Sequence, residues 1–298
     1  MRPASRLLLV AVVLSAVLVT PVSGASRHRS AYAGLGTWLD IYATASWAHP
    51  EQEVAAMARD GARTLYLQTG NYEQSADLVR PRKLGRFIDA AHAAGMRVVA
   101  WYLPSFIYPA QDTRAALAAI RFRSAKGERF DSFALDIEAS LVKSVPLRNK
   151  RLLRLTARLR AAVGHRYALG AIIPSPVGML RHPAYWPHFP YRQLARSYNV
   201  FLPMAYATDA GIRGSKATRA YNAADVAIIR ARTGKLHMPI HLIGGLAAKM
   251  GSGETAGFMQ AVADCNPLGY SLYDFPLTSR SAWNALAARP ASDDRRCT

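Results

Sequence analysis

The chain has 298 residues, 51% of them hydrophobic, with 38 Lys and Arg against 19 Asp and Glu and only two cysteines. Apolar content of that size excludes a disordered chain, and two cysteines in this length exclude a disulfide-stapled miniprotein. The formal charge of +19 implies anionic surroundings or high solubility and says nothing of fold, while the length admits one large barrel or two smaller domains.

Arg2 and Arg6 precede an apolar run over residues 7–19, followed by Pro21, Ser23, Gly24 and Ala25. This reads as a secretory signal peptide over residues 1–25, since the run is shorter than the about 20 residues a membrane-spanning helix takes. Its removal lowers the formal charge by two, to +17, so the basic balance belongs to residues 26–298. Beyond it the chain settles into a rhythm of short apolar strands and Ala/Leu/Arg helices. Strands are predicted over 35–40, 64–68, 97–101, 132–138, 168–174, 200–206, 240–244 and 269–274. Helices are predicted over 50–59, 82–94, 113–125 (capped by Asp112), 147–163, 191–198, 223–232, 254–264 and 279–288. In the second, Leu84, Phe87, Ile88 and Ala91 form one stripe; in the fourth, Leu152, Leu155, Leu159 and Val163 do.

Eight strands alternating with eight helices predict a single (β/α)8 barrel in the α/β class. No strand is followed by a dinucleotide-binding glycine fingerprint, which disfavours an open doubly wound sheet. Functional groups of such barrels gather at the C-terminal strand ends. Those ends carry Asp40 and Tyr42; Gln68; Trp101 and Tyr102; Asp136 and Glu138; Ser175; Met204 and Tyr206; Gly244; and Tyr273 and Asp274. Carboxylates among flat rings suit a carbohydrate, whose apolar faces stack on rings while acids handle protons and oxocarbenium charge. In the fourth strand the period of two sends Phe133, Leu135 and Ile137 outward and Ala134, Asp136 and Glu138 inward. Two inward carboxylates about 6–7 Å apart along a strand raise one another's pKa, which leaves a proton on Glu138 and makes Asp136 its modulator.

The stretch Asp131-x-x-Ala134-x-Asp136-x-Glu138 resembles the DxxDxDxE signature of family 18 chitinases, with Ala134 in place of the second Asp. Met204-Ala205-Tyr206 resembles the Met-x-Tyr element of the same family. The resemblance implies that Glu138 is the general acid, that Asp136 orients a substrate N-acetyl group acting as nucleophile, and that Tyr206 hydrogen-bonds that group. Leu135-Asp136-Ile137-Glu138 is equally similar to the fourth-strand motif of family 25 muramidases, which also place an acid where Asp40 stands. Ala207, Tyr273 and Asp274 depart from the chitinase pattern, and that departure bears on substrate-assisted chemistry more than on a sugar site.

The aromatic loop over 181–191, with Trp186, reads as a stacking wall joined by Trp47, Phe106 and Tyr108, or equally as a loop packing its own rings. Trp101, Tyr102 and Tyr273 are further stacking candidates, and Asp40, Gln68, Tyr206 and Asp274 further substrate contacts. His237 and His241 flank the entry of strand seven and are expected to be structural; no metal spacing and no cofactor motif occur. Ser175 lacks the GxSxG context of a nucleophile. Ser252 is expected to cap the helix after strand seven, although that helix start also suits a phosphate. Arg148, Arg151, Arg154 and Arg158 are expected to form a solvated helix face drawn to an anionic cell envelope, without the aromatic interleaving that nucleic acid requires. In an exported protein Cys265 and Cys297 are expected to pair and tie down the tail. The sequence thus predicts a secreted, monomeric glycoside hydrolase of a cell-wall or amino-sugar polysaccharide. Two alternatives stay open: a barrel that binds carbohydrate without turnover, and a phosphodiester or acyl hydrolase using the same carboxylates.

Overall fold

The structure, a computed structural model, describes residues 30–288 together with Cys297; the expected signal peptide lies outside the described residues. Eight parallel strands close into a barrel in sequence order. They are β1 Gly34–Leu39, β2 Thr64–Asn71, β3 Arg97–Leu103, β4 Ser132–Asp136, β5 Leu169–Pro174, β6 Val200–Met204, β7 His241–Leu246 and β8 Gly269–Tyr273. The α-helices are α1 Thr44–Ala48, α2 Pro50–Arg59, α3 Pro81–Ala93, α4 Pro109–Arg121 and α5 Val145–Val163 in the first half. The second half adds α6 Pro176–Arg181, α7 Tyr191–Ser197, α8 Ser215–Thr233, α9 Ser252–Cys265 and α10 Arg280–Ala287. The barrel closes where Gly34 pairs with Gly269 and Leu35 with Tyr270. No helix among the described residues is long and apolar enough to cross a membrane.

The apolar pattern sorts into two clusters. Outward residues such as Phe133, Leu135 and Ile137 join the helix stripes Leu84, Phe87, Ile88 and Leu152, Leu155, Leu159 in one large core. Inward residues Trp38, Tyr66, Val99, Trp101, Ala134, Ile172, Leu202 and Ile243 fill the barrel as a second. Its floor is polar but fully bonded. The buried His241 ring bonds the Tyr66 hydroxyl and Tyr32 carbonyl through Nδ1 and Ser271 Oγ through Nε2, each at 2.9 Å. Tyr32 OH donates to the Phe133 carbonyl and Trp38 Nε1 to Ser271 Oγ. Glycines make room for these rings: a Cβ at Gly36 would lie 2.6 Å from the Tyr66 ring, and one at Gly170 2.8 Å from Tyr32. His241 is therefore structural as expected, while His237 lies exposed on the loop before β7.

Several local expectations are corrected. α4 starts at Pro109, and Asp112 in its first turn accepts the Ser105 and Phe106 N–H groups of the preceding loop instead of capping the helix. Gly251, not Ser252, is the N-cap of α9; Glu254 Oε2 accepts Gly251 N–H and Oε1 accepts Gly214 N–H, so a carboxylate of the chain occupies the helix start considered for phosphate. α8 begins eight residues before its expected start, and α1 and α6 fall outside the expected helices. Cys265 and Cys297 form a disulfide as expected.

Candidate active site

β4 hydrogen-bonds β3 and β5 in a register that sets Ala134 beside Trp101 and Gly170, and Asp136 beside Ile172. The alternation expected of this strand holds, so Ala134 and Asp136 face the barrel interior at successive levels, and Glu138 follows just beyond the strand. Asp136 is 5% exposed and its Oδ1 has no hydrogen-bond partner among the described residues. Ala134, the next inward residue below, offers only a methyl group. Burial raises the Asp136 carboxyl well above the ordinary carboxylate range, and the Glu138 charge raises it further. Burial also raises Glu138. Both carboxyls resist ionisation, Asp136 the more strongly, and a carboxyl raised by burial beside a second acid suits the role of a general acid. Asp131, the first acid of the motif, lies at the other end of the strand, where it accepts Val98 N–H at 2.8 Å and contacts His92 Nε2 at 3.0 Å.

β6 and β8 supply the tyrosines. The Tyr206 and Tyr273 rings lie 6.5 Å apart, and Tyr273 is also 6.3 Å from Trp38. Tyr206 keeps its proton because of burial first, then the charges of Glu138, Asp136 and Asp274, which places its hydroxyl within the field of both β4 acids. Tyr273 OH donates to Asp40 Oδ2 at 2.6 Å, and Asp40 Oδ1 accepts the Tyr42 and Ala43 N–H groups. Asp274, buried with Oδ1 unpartnered, is pushed up to about 6 by burial and then by Asp40. Trp101 faces inward edge-on to Trp38 at 5.9 Å, with its Nε1–H unpartnered among the described residues. The mouth therefore gathers Asp136, Glu138, Tyr206, Asp40, Tyr273, Asp274 and Trp101.

Three predicted site residues do other work. Tyr102 faces outward into the helix layer, and its hydroxyl donates to Asp112 Oδ1. Trp186 is 2% exposed and packs against Phe106, Tyr185 and Phe189, with the Arg148 guanidinium 4.1 Å over its ring. Gln68 spends its amide on the Ile41 N–H and the Gly70 carbonyl, which latches the loop after β1. The expected stacking wall is thus core: Trp47 packs edge-on to Phe87 and only Tyr108 of that set is exposed. Arg148 is likewise buried, contrary to its expected solvation, and donates from Nη2 to the Tyr185 carbonyl. Tyr185, expected only as part of the aromatic loop, reaches the site. Its hydroxyl donates to the main-chain carbonyl of Glu138, and its only sequence signal was membership of the aromatic loop after β5. Among the described residues no cluster of His, Cys, Asp and Glu is arranged to hold a metal ion.

No family model matches the sequence, and no curated protein matches it. Solved structures do share its fold. The spore cortex-lytic enzyme SleL of Bacillus cereus superposes with a TM-score of 0.63 at 9% identity, over 88% of this chain and 75% of that one. An endo-β-1,4-mannanase of Thermotoga petrophila gives 0.62 at 11% identity, over 81% and 68%. A chitinase of Chromobacterium violaceum gives 0.58 at 14% identity, over 85% and 98%. At these identities the likeness is one of fold: the chain is a (β/α)8 barrel of the kind these glycoside hydrolases use.

Proposed function

We propose that the protein is a secreted glycoside hydrolase of a cell-wall or amino-sugar polysaccharide, with Glu138 as general acid and base. What carries this reading is the placement of two carboxyls, Asp136 at the C-terminal end of β4 and Glu138 just beyond it, beside Tyr206 and Tyr273, with burial raising both acids. Protonated Glu138 gives its proton to the glycosidic oxygen as the bond to the anomeric carbon breaks. The acetamido oxygen of the same sugar bonds that carbon, with its N–H held by Asp136 and its oxygen positioned by the Tyr206 hydroxyl. Ionised Glu138 then takes a proton from water, whose oxygen opens the cyclic intermediate and restores the acetamide. The barrel likeness to a chitinase and a cortex-lytic enzyme supports this substrate class, and the export signal supports its location.

The test compares wild type with Glu138→Gln on chitin and peptidoglycan, measuring reducing-end release and pull-down binding together. Losing a general acid costs about 100-fold or more in turnover with binding retained. Equal turnover by both forms removes Glu138 from the chemistry. Binding without turnover by either identifies a carbohydrate-binding barrel, the reading that Ala134 and the unpartnered Asp136 Oδ1 favour.

A further inference from the structure

Helix α5 stands apart in charge. Its nineteen residues include Arg148, Lys150, Arg151, Arg154, Arg158 and Arg160 and no acid, whereas every other described helix of ten or more residues carries Asp or Glu. Five cations elsewhere pair with carboxylates: Arg86 with Glu51, Arg114 with Asp77, Arg219 with Asp264, Lys249 with Asp209 and Arg280 with Asp60. Burial withdraws Arg148, and Arg160 is spent on carbonyls at the base of the barrel. The remaining four, Lys150, Arg151, Arg154 and Arg158, line a groove of about 290 Å³ between α4 and α5. None of the four forms an ion pair with a described residue, and no acid lines the groove. Arg151 donates to the Phe106 and Ile107 carbonyls and Arg158 to Thr113 Oγ1, while Lys150, Arg154 and Arg158 are exposed.

Lys150, Arg154 and Arg158 recur every fourth residue, about 6 Å apart along the axis. Like charges at that spacing oppose helix formation, so an unneutralised row is a standing cost that a bound anion relieves. Three of the four cations are arginines, whose planar forks match phosphate oxygens in pairs. No aromatic ring lines the groove to stack a base. Pro109 and Leu147, at the starts of α4 and α5, set its upper end on the same side of the barrel as Glu138.

We propose that the groove between α4 and α5 binds a polyanion of phosphodiester-linked units, which anchors the protein on an anionic wall polymer with the barrel mouth beside it. The anchoring does not depend on the glycosidase reading. The experiment uses chain 26–298 and fluorescent poly(glycerol phosphate), with polygalacturonate and DNA of matched charge as competitors, across a salt series. The groove variant is Lys150→Ser/Arg154→Ser/Arg158→Ser. The control, Arg82→Ser/Arg192→Ser/Lys216→Ser, removes equal charge from exposed positions on α3, α7 and α8. The groove variant should lose affinity at least about tenfold at low salt, with the slope of log affinity against log salt flatter by about 2, as expected for released counterions. The control should change it less than about threefold by the same electrostatic argument. Circular dichroism and thermal melting show whether each variant is folded. Equal losses in both variants, or no binding by wild type, would overturn the groove and leave only net charge. Tighter groove-dependent binding of DNA would replace the wall polymer with nucleic acid, and equal binding of polygalacturonate would overturn the preference for phosphate.

Discussion

Tyr185 joins two parts of the molecule through its hydroxyl and its main-chain carbonyl. Its hydroxyl holds the carbonyl of Glu138, and its own carbonyl is held by buried Arg148, so the loop after β5 braces the residue proposed to move protons. Tyr185→Phe removes one hydrogen bond, worth about 1 kcal/mol. If that bond serves to aim Glu138, kcat falls roughly fivefold with KM unchanged; a change confined to thermal stability would show that Tyr185 only packs. Asp225 makes a second prediction. It is buried on α8, accepts from Ser175 Oγ and Val177 N, and is pushed up to about 7 by burial. A carboxyl whose folded pKa is raised binds protons more tightly in the folded state, so its stabilising contribution is complete below about pH 4 and is lost as pH rises towards 7. Asp225→Asn removes that titration, and melting temperatures between pH 4 and 8 should then vary less than in wild type. An unchanged pH profile would show that Asp225 titrates like an ordinary surface acid.

Elements show where sequence reading succeeds and where it fails. Alternation within β4 was legible because a buried strand leaves two distinct faces, and the inward set Ala134 and Asp136 follows from it. The same rule explains the error at β3: Trp101 and Tyr102 are neighbours, so both cannot face inward, and Tyr102 belongs to the helix layer. Trp186, Phe106 and Trp47 were harder to place, because an aromatic loop residue satisfies its ring equally by packing or by binding, and only the three-dimensional neighbours decide. Arg148 departs from its expected solvation because cation–π stacking and a carbonyl contact allow a guanidinium on a polar helix to turn inward. At α9 the cap is a carboxylate three residues into the helix. Glu254→Ala releases the N–H groups of Gly251 and Gly214 and should lower unfolding stability by about 1 kcal/mol in urea titrations. No change in the urea midpoint would mean that water serves those groups as well.

Over the whole molecule, the strand–helix rhythm was sufficient for the barrel because each unit buries one face on the next and closure follows from number and order. The disulfide fixes Cys297 against the end of α9, closing a separation of 32 residues. Its reduction, or replacement of both cysteines by serine, should cost about 3–4 kcal/mol on the chain-entropy account; a loss below about 1 kcal/mol would mean that the tail is held by packing alone. The floor of the barrel has a different consequence. Among the described residues Tyr32, Tyr66, Trp38 and His241 fill its lower end with bonded, buried side chains, and Asp136 lies above them towards the mouth. Whatever reaches Asp136 enters and departs through one opening. On the proposed function, a long polymer would therefore lie across that opening like a thread over a thimble, and both fragments of a cut would leave on the side from which the chain came.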